Sequence, residues 1–362
     1  SHKERVILGS MSGTSLDGID AVKLLIKGEG YRLTYEVLEF HSIDYPSVLR
    51  TKLKDITLLK NTTIQSILEY QHAITESHLE LFSKFKKDYD LITLHGQTLY
   101  HNPPISWQAI NPNPIVAKFN KTVVYDLRAA DLAHAGQGAP ITPLADAICF
   151  QNENEARSIV NLGGFINITH LNSGSFNPST VEGHDLCICN QWLDQLSKKH
   201  FNHDYDDQGN FASQGQLNKE LEENMFHYFK TQWKKGVSLG SQDDQNHSLQ
   251  DMAAHEPNPY NLLYSSCHAL ARIILKACES SDRLILAGGG CHNKTLIKLL
   301  KESTTQEICL SDAYGMPFQQ REAIEMALLG ALCQDKISIT LPQITKSSHS
   351  PFLSGSWIFP SC

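Results

Sequence analysis

The feature that most constrains the fold is a strand–glycine turn–strand unit that occurs near the start of the chain and again near its middle. The first unit reads RVIL, then the polar turn GSMSGTSLDGID, then AVKLLI. The second reads RSIV, NLGG and FINITHL. Segments with helical periodicity follow each unit. This layout predicts a duplicated α/β architecture, with a cleft between its two halves.

Periodicity extends this pattern along the chain. Alternating residues over 5–45 predict a three-stranded antiparallel meander, and apolar residues three and four apart predict helices over 46–87. A strand that ends in the polar loop HGQTLYHN follows, and then a short strand, a glycine-rich loop and a helix beginning near Pro143. The second half adds the helix NQWLDQLSKKHF, the long and largely buried helix NLLYSSCHALARIILKACES, a strand before the triple glycine, and the apolar helix FQQREAIEMALLGALCQ.

The length of 362 residues indicates two domains, because one core rarely grows beyond about 250–300 residues. We expect an N-terminal lobe over residues 1–140 and a C-terminal lobe over 141–362, with the last segment packing back on the first lobe. The net charge of −8 argues against a nucleic-acid partner. No apolar run approaches the ~20 residues of a membrane-spanning helix, so no membrane partner is expected.

The nine cysteines lie mostly in apolar segments and indicate buried thiols in a reduced, cytoplasmic protein. The segment DLCICN contains a C-x-C pair, but no second pair with histidines at ligand spacing follows. The 17 histidines form neither H-x-x-x-H nor H-E-x-x-H. A metal site built from protein ligands alone is therefore not predicted.

Three glycine turns follow strands: GTSLDG, NLGGFIN and LAGGG. Such turns let backbone amides approach an anion closely, although glycine also serves simply to close hairpins. None of the three is followed by G-K-S/T, and none matches G-x-G-x-x-G before a helix, so neither a P-loop nor a Rossmann dinucleotide site is predicted. As a set, the turns favour a phosphate-binding protein of another class.

The motifs MSGTSLDGID, HGQT, GQGAP, NLGG-IN and GGG-N, in this order, resemble the anhydro-N-acetylmuramic acid kinase family. The resemblance covers about residues 6–330. It implies a two-lobed actin-like (ribonuclease H-like) ATPase fold with a central cleft. It also implies a cytoplasmic enzyme of cell-wall recycling that uses ATP and Mg²⁺ to convert 1,6-anhydro-N-acetylmuramic acid, an amino sugar, into N-acetylmuramic acid 6-phosphate.

The same resemblance implies which residues bind the nucleotide. The first turn would hold the ATP phosphates through Gly13, Thr14, Ser15, Leu16, Asp17, Gly18, Ile19 and Asp20. Within it, Asp17 and Asp20 are candidates to organise Mg²⁺ through water, because magnesium keeps much of its hydration. The opposing phosphate loop and the adenosine turn would be formed by Gly163, Gly164, Asn167, Gly288, Gly289 and Gly290. For the first turn, the competing explanation is a polar hairpin with Asx-type turns. For the later glycines it is tight packing between strand and helix, which is compatible with binding.

Catalytic roles are implied for two acidic residues. The family's catalytic base is an aspartate in a segment like DTGPGN, and Asp185 of GHDLCICN matches it. The competing interpretation is that Asp185 caps a buried helix that starts in DLCICN. Glu322 matches a family glutamate at the start of a cleft helix, and it could equally be a first-turn glutamate that faces the helix dipole.

Substrate-binding roles are implied for His95, Gln97, Arg128, Asp131, Gln137 and Asn190. Arg128 suits the lactyl carboxylate of a muramic sugar, since a planar guanidinium binds carboxylates in pairs. An interdomain ion pair is its alternative role.

Two departures from the family pattern leave other functions open. The glycine-rich stretch after the aspartate has become Leu186–Cys189, and a family Arg-Glu pair reads Ser241 and Gln242. These changes are compatible with a kinase for a different sugar, or with a nucleotide-binding homologue that has lost catalysis. A homodimer is also compatible with the family resemblance.

Overall fold

The computed structural model describes residues 4–13, 16–57, 62–235, 247–348 and 353–361. Contacts divide the chain into two compact units. In its described part, the first unit takes in the chain up to Cys149 and from Gln320 onward, and the second runs from Phe150 to Gln319. The division falls nine residues after the boundary expected at residue 140, because the helix beginning at Pro143 packs within the first unit.

The strands of the described residues are, in chain order, β1 (Glu4–Met11), β2 (Gly18–Lys27), β3 (Thr34–Asp44), β4 (Leu91–His95), β5 (Gln97–Asn102), β6 (Ile105–Ala109), β7 (Thr122–Tyr125), β8 (Arg157–Leu162), β9 (Phe165–Leu171), β10 (Glu182–Ile188), β11 (Arg283–Ala287), β12 (Glu307–Leu310) and β13 (Ser356–Ile358). The α-helices are α1 (Ser47–Thr57), α2 (Ile64–Phe82), α3 (Pro112–Phe119), α4 (Ala129–Ala133), α5 (Pro143–Phe150), α6 (Asn190–Phe201), α7 (Lys219–Lys235), α8 (His247–Ala254), α9 (Pro259–Ala277), α10 (Lys294–Glu302), α11 (Arg321–Gln334) and α12 (Pro342–Thr345).

The two main sheets share one strand order. In the first unit the order is β13-β7-β4-β1-β2-β3, and in the second it is β10-β9-β8-β11-β12. Each sheet contains an antiparallel meander whose first strand, β1 or β8, pairs in parallel with one further strand, β4 or β11. That strand pairs in parallel with β7 or β12 in turn. This repeated order confirms the predicted duplication and the actin-like (ribonuclease H-like) α/β fold. Strand β13 adds an antiparallel edge to β7.

Three local structures differ from the sequence-based expectations. The segment after His95 is a two-stranded hairpin of β5 and β6 rather than a polar loop. Helix α7 was not predicted, although its buried residues recur at helical spacing. The segment DLCICN continues strand β10, and α6 begins only at Asn190. The alternative interpretation of Asp185 as a helix cap is therefore wrong.

Each unit has its own apolar core. The first contains the inner faces of β1, β2, β4 and β7 together with α2 and α3. The second contains β8 to β11 packed on α6, α7, α9 and α10. The largely buried helix α9 has the character predicted for it. Within the described residues, no helix is both long and apolar enough to cross a bilayer.

Burial of His78 predicts a loss of stability in acid. This α2 residue is fully buried, its Nδ1 lies 2.8 Å from the Ile74 carbonyl oxygen, and burial lowers its pKa to about 4. Below its ordinary pKa near 6.5 the unfolded chain binds a proton that the folded chain excludes. The free energy of unfolding should therefore fall by about 3 kcal/mol between pH 6.5 and 4 from this group.

Urea unfolding of the wild type and of His78→Leu between pH 7 and 4.5 tests this prediction. The variant should lose less stability than the wild type as the pH falls. Parallel curves for the two proteins would show that His78 does not titrate as its burial requires.

Candidate active site

The turn between β1 and β2 is fixed by a hydrogen bond from the side chain of Gln97. This side chain is fully buried, and its Nε2 donates a 2.9 Å hydrogen bond to the Gly13 carbonyl. Leu16 has a left-handed φ of 59°, and its amide lies 3.3 Å from the same carbonyl oxygen. Gln97 thus positions the turn, and the sugar contact predicted for it stays a prediction. Thr14 and Ser15 lie outside the described residues.

The predicted nucleotide contacts in this turn are not equivalent. Leu16 and Ile19 direct their side chains into the core, so only their backbone groups are available to a ligand. A side chain at Gly18 would collide with the Ile43 carbonyl oxygen, so packing against β3 already requires this glycine. Asp17 is exposed and Asp20 is partly buried, which leaves both carboxylates as candidate ligands.

Asp20 is the centre of an acidic cluster. Its pKa is raised to about 7, first by burial and then by the negative charges of Glu322, Asp17 and Asp44 in that order. Glu322 lies in the first turn of α11. Repulsion among carboxylates is relieved when a divalent cation binds, and Mg²⁺ prefers oxygen ligands. The donor set therefore fits Mg²⁺, whereas no group of described residues forms a complete protein metal site.

The sugar-side residues of the first unit surround Arg128. Its Nε donates to Nε2 of His95 at 3.0 Å, and its Nη1 donates to the Gly138 carbonyl at 2.8 Å. Burial, followed by the charge of Arg128, lowers the pKa of His95 well below its usual value. His95 is therefore neutral and accepts a hydrogen bond from the guanidinium. These contacts orient Arg128, which is itself only half-buried.

Asp131 organises the GQGAP loop rather than presenting a free carboxylate. It is fully buried, and its two oxygens accept 2.7 Å hydrogen bonds from the Gly138 amide and the Thr345 hydroxyl. The Gln137 amide donates to the Thr345 carbonyl at 2.7 Å. Asp131 thus has a positioning role in this loop, and the substrate contacts predicted for Asp131 and Gln137 stay predictions.

In the second unit, the glycine turn between β8 and β9 is tied to the start of α6. The carbonyls of Gly163 and Gly164 accept hydrogen bonds from the amides of Asn190 and Cys189 at 3.1 and 2.8 Å. The side-chain amide of Asn190 also donates to the Leu162 carbonyl at 2.9 Å. Asn190 therefore fixes the turn, in addition to any contact with the substrate predicted for it.

The triple glycine after β11 contains positions of two kinds. Gly288 has φ 84° and ψ 168°, and a Cβ there would lie 2.6 Å from Oδ1 of Asn161. Gly290 is buried, and its Cβ would lie 2.6 Å from the Leu162 side chain. Gly289 is exposed, and the nearest atom to its Cβ position, Nδ2 of Asn190, is 4.0 Å away. Packing explains the first two glycines, but only Gly289 leaves open space for a ligand.

Asp185 lies in β10 opposite Asn167 of β9. The register shifts between Asp185 and Cys187, which makes Leu186 a bulge, and bulges commonly re-aim neighbouring side chains. Residues 186–189 are fully buried, whereas Asp185 is partly exposed. The residues that depart from the family pattern, 186–189, thus belong to the core that follows Asp185 in the chain. The second departure, at Ser241 and Gln242, lies outside the described residues.

Two contributors to the site were missed by sequence reasoning. Asp44, at the end of β3, adds a carboxylate to the Asp20 cluster. Asp146 of α5 binds Arg321 at the start of α11, next to Glu322. Asp44 is distant in the chain from Asp20, and Asp146 is distant from Arg321, so no local sequence pattern relates the members of either pair.

Comparison with known proteins identifies the family to which these residues belong. A family model described as anhydro-N-acetylmuramic acid kinase matches residues 5–360. The chain belongs to the anhydro-N-acetylmuramic acid kinase family. A relative of that name from Synechococcus sp. is 31% identical and covers 96% of this chain and 98% of its own length. Relatives of the same name from Salinibacter ruber and Bacillus cereus strain B4264 are 29% and 28% identical, over 96% and 98% of this chain.

Membership in the anhydro-N-acetylmuramic acid kinase family confirms the resemblance inferred from the motifs. It makes the chain a member of a phosphotransferase family and implies ATP as the phosphoryl donor. The matched range contains every motif on which the resemblance rests. Family membership does not assign individual residues, and their roles are therefore proposals.

Proposed function

We propose that this chain opens 1,6-anhydro-N-acetylmuramic acid by hydrolysis and phosphorylates it, with ATP and Mg²⁺, to N-acetylmuramic acid 6-phosphate. One observation carries the proposal beyond family membership. Asp185 is partly exposed and pairs with Asn167, on the strand that begins directly after the Gly163–Gly164 turn. The candidate base and the candidate phosphate loop thus belong to one continuous piece of sheet.

In the first unit, the backbone of the β1–β2 turn would bind the ATP phosphates, and the Asp20 cluster would receive Mg²⁺. The raised pKa of Asp20 supports this assignment, because its causes are burial and neighbouring carboxylates, whose charge a divalent cation would offset. Bound Mg²⁺ offsets negative charge on the phosphoryl oxygens during transfer. Arg128, oriented by His95, would bind the lactyl carboxylate of the sugar.

In the second unit, Asp185 would act as the general base. Its carboxylate takes a proton from water as the water oxygen attacks C1 of the sugar. The bond between C1 and the bridging oxygen breaks, and that oxygen, still attached to C6, forms a bond to the γ-phosphorus as ADP leaves. Gly289 would leave space for the adenosine, and the Gly163–Gly164 turn would contact the phosphates.

A kinase for a different sugar is the main alternative. This alternative was suggested by two departures from the family pattern, one of them at residues 186–189. Burial of these residues weakens that argument, because their side chains belong to the core rather than to a surface that could select a substrate. A homodimer and a cytoplasmic location stay predictions from the resemblance.

A sugar panel tests the proposal. Purified protein with ATP and Mg²⁺ should release ADP with 1,6-anhydro-N-acetylmuramic acid, but not with N-acetylglucosamine, glucose or 1,6-anhydro-N-acetylglucosamine, which lacks the lactyl carboxylate. Turnover of another sugar in place of the anhydromuramic sugar would favour the alternative kinase. Binding of ATP without turnover of any sugar would favour a homologue that has lost catalysis.

A further inference from the structure

A buried ion cluster lies at the start of α11. Arg321 donates from Nε and Nη2 to the carboxylate of Asp146 in α5, at 2.7–3.1 Å. Its Nη2 also lies 3.0 Å from Oε1 of Glu325, one turn along the helix. All three side chains are at most 1% exposed. Together, Asp146, Arg321 and Glu325 are called the Arg321 cluster below.

A contribution to folding stability does not by itself explain why this charged cluster is buried. Desolvation of buried ions offsets most of their attraction, and replacement by apolar side chains of similar volume is often neutral or stabilising. The cluster also holds two carboxyl groups for one guanidinium. Burial raises the pKa of Glu325 well above its usual value, although the charge of Arg321 opposes this, and the neighbouring Asp146 raises it further. The bidentate contact of Arg321 is made with Asp146.

Beyond Glu325, α11 is an apolar helix. Residues 326–333 are all apolar or glycine and all buried, so the charged contacts that orient the first turn come from the Arg321 cluster. The helix has no side-chain cap at Gln320. The backbone of α11 closely approaches β1, since a Cβ at Gly9 would lie 2.5 Å from the Ala327 amide nitrogen. Small shifts of this helix would therefore be transmitted directly to β1 and its turn.

Glu322 lies between Arg321 and Ala323, and a Cβ at Gly9 of β1 would lie 2.7 Å from the Ala323 carbonyl oxygen. The turn that carries Glu322 therefore lies against β1 two residues before Met11. Asp20 in turn pairs with Met11, the last residue of β1. The bidentate contact between Arg321 and Asp146 thus fixes the helical turn that carries Glu322. It does so beside the strand pair that carries Asp20.

We infer that Arg321 and Asp146 are positioning residues that set Glu322 relative to Asp20, and so determine how strongly the acidic cluster binds the Mg²⁺–nucleotide complex. This inference rests on the proposed function, because it takes the cluster as the Mg²⁺–ATP site. It assigns no direct contact with substrate to either residue.

The other end of α11 offers a matched control. Arg5 of β1 binds Asp335 through two contacts of 2.6 Å, and both side chains are about 5% exposed. This pair ties the end of the same helix to the same sheet. Since α11 rises about 1.5 Å per residue over its 14 residues, the two pairs are separated by roughly 20 Å. The double variants Asp146→Leu/Arg321→Met and Arg5→Met/Asp335→Leu therefore differ mainly in their proximity to Glu322.

Mg²⁺ titrations of ATP turnover, and calorimetric binding of Mg²⁺–ADP, distinguish the two pairs. For Asp146→Leu/Arg321→Met we expect the half-saturating Mg²⁺ concentration to rise at least fivefold and kcat to fall at least tenfold. KM for the sugar should stay within twofold of the wild type. The control pair should leave all three values within twofold. Equal behaviour of the two double variants would overturn the inference.

Two further measurements keep the outcomes separable. If the first double variant does not fold, Arg321→Lys keeps the charge but loses the bidentate geometry, and it should show the same rise in Mg²⁺ requirement. If the wild type turns over no sugar, the proposed function fails. Calorimetric binding of Mg²⁺–ADP then tests the inference alone, and it must weaken only in the pair next to Glu322.

Discussion

Replacing Asp185 with asparagine should lower kcat by about 10²–10⁴-fold, the usual contribution of a general base. The amide keeps the size of the side chain but cannot accept the proton of the attacking water. Because Asp185 lies at the edge of a bulge and is only partly buried, Asp185→Asn should fold normally and bind ATP with unchanged affinity. Single-turnover kinetics with a calorimetric ATP titration measure both quantities.

Glu182→Gln is the matched control for this variant. Glu182 lies in the same strand and loses the same charge on substitution, but it is exposed. Its kcat should stay within twofold of the wild type. Equal turnover by wild type and Asp185→Asn would mean that another group deprotonates the water. Equal losses in both variants would point to a general effect of charge rather than to catalysis.

Substitution by alanine should lower the free energy of unfolding at Gly288 but not at Gly289, the next residue of the proposed adenosine turn. At Gly288, alanine meets a backbone conformation almost restricted to glycine and a contact of 2.6 Å with Asn161. Strain and overpacking together should lower the free energy of unfolding by about 2–5 kcal/mol. Gly289→Ala enters open space and should leave that free energy unchanged.

The same pair tests whether the turn faces the nucleotide. If adenosine lies against Gly289, the added methyl group should weaken ATP binding about tenfold, the effect of a modest steric conflict. Urea unfolding and nucleotide calorimetry on both variants measure the two effects separately. Normal ATP affinity in a stable Gly289→Ala protein would remove this turn from the nucleotide site.

Much of the fold followed from local pattern. The meander of β1 to β3, the start of α5 at Pro143 and the start of α6 at Asn190 are all encoded by periodicity and breakers near them in sequence. The β5–β6 hairpin was missed because its short strands are polar and flank two prolines. Helix α7 was readable from its apolar spacing at Leu221, Met225 and Phe229.

The roles of single site residues were harder to predict, because they depend on contacts distant in the chain. Gln97 and Asp131 are polar residues of the kind that bind sugars. In the structure both are buried and form hydrogen bonds with the backbone of Gly13 and of Gly138, respectively. The raised pKa of Asp20 arises from burial and from carboxylates that include Glu322 of α11 and Asp44 of β3, both distant from it in the chain. Sequence motifs thus identified the family, whereas only the structure separated residues that shape the site from those able to contact a ligand.

Turnover of 1,6-anhydro-N-acetylmuramic acid in H₂¹⁸O is the most direct test of the proposed chemistry. Attack of water at C1 should place one ¹⁸O at the anomeric carbon of the product, detected by mass spectrometry within minutes of quenching, before exchange through the open-chain sugar. The oxygen between C6 and phosphorus should stay unlabelled, and one ADP should form per product. A phosphorylated sugar without ¹⁸O at C1, or with ¹⁸O in the phosphate ester linkage, would contradict coupled hydrolysis and phosphoryl transfer.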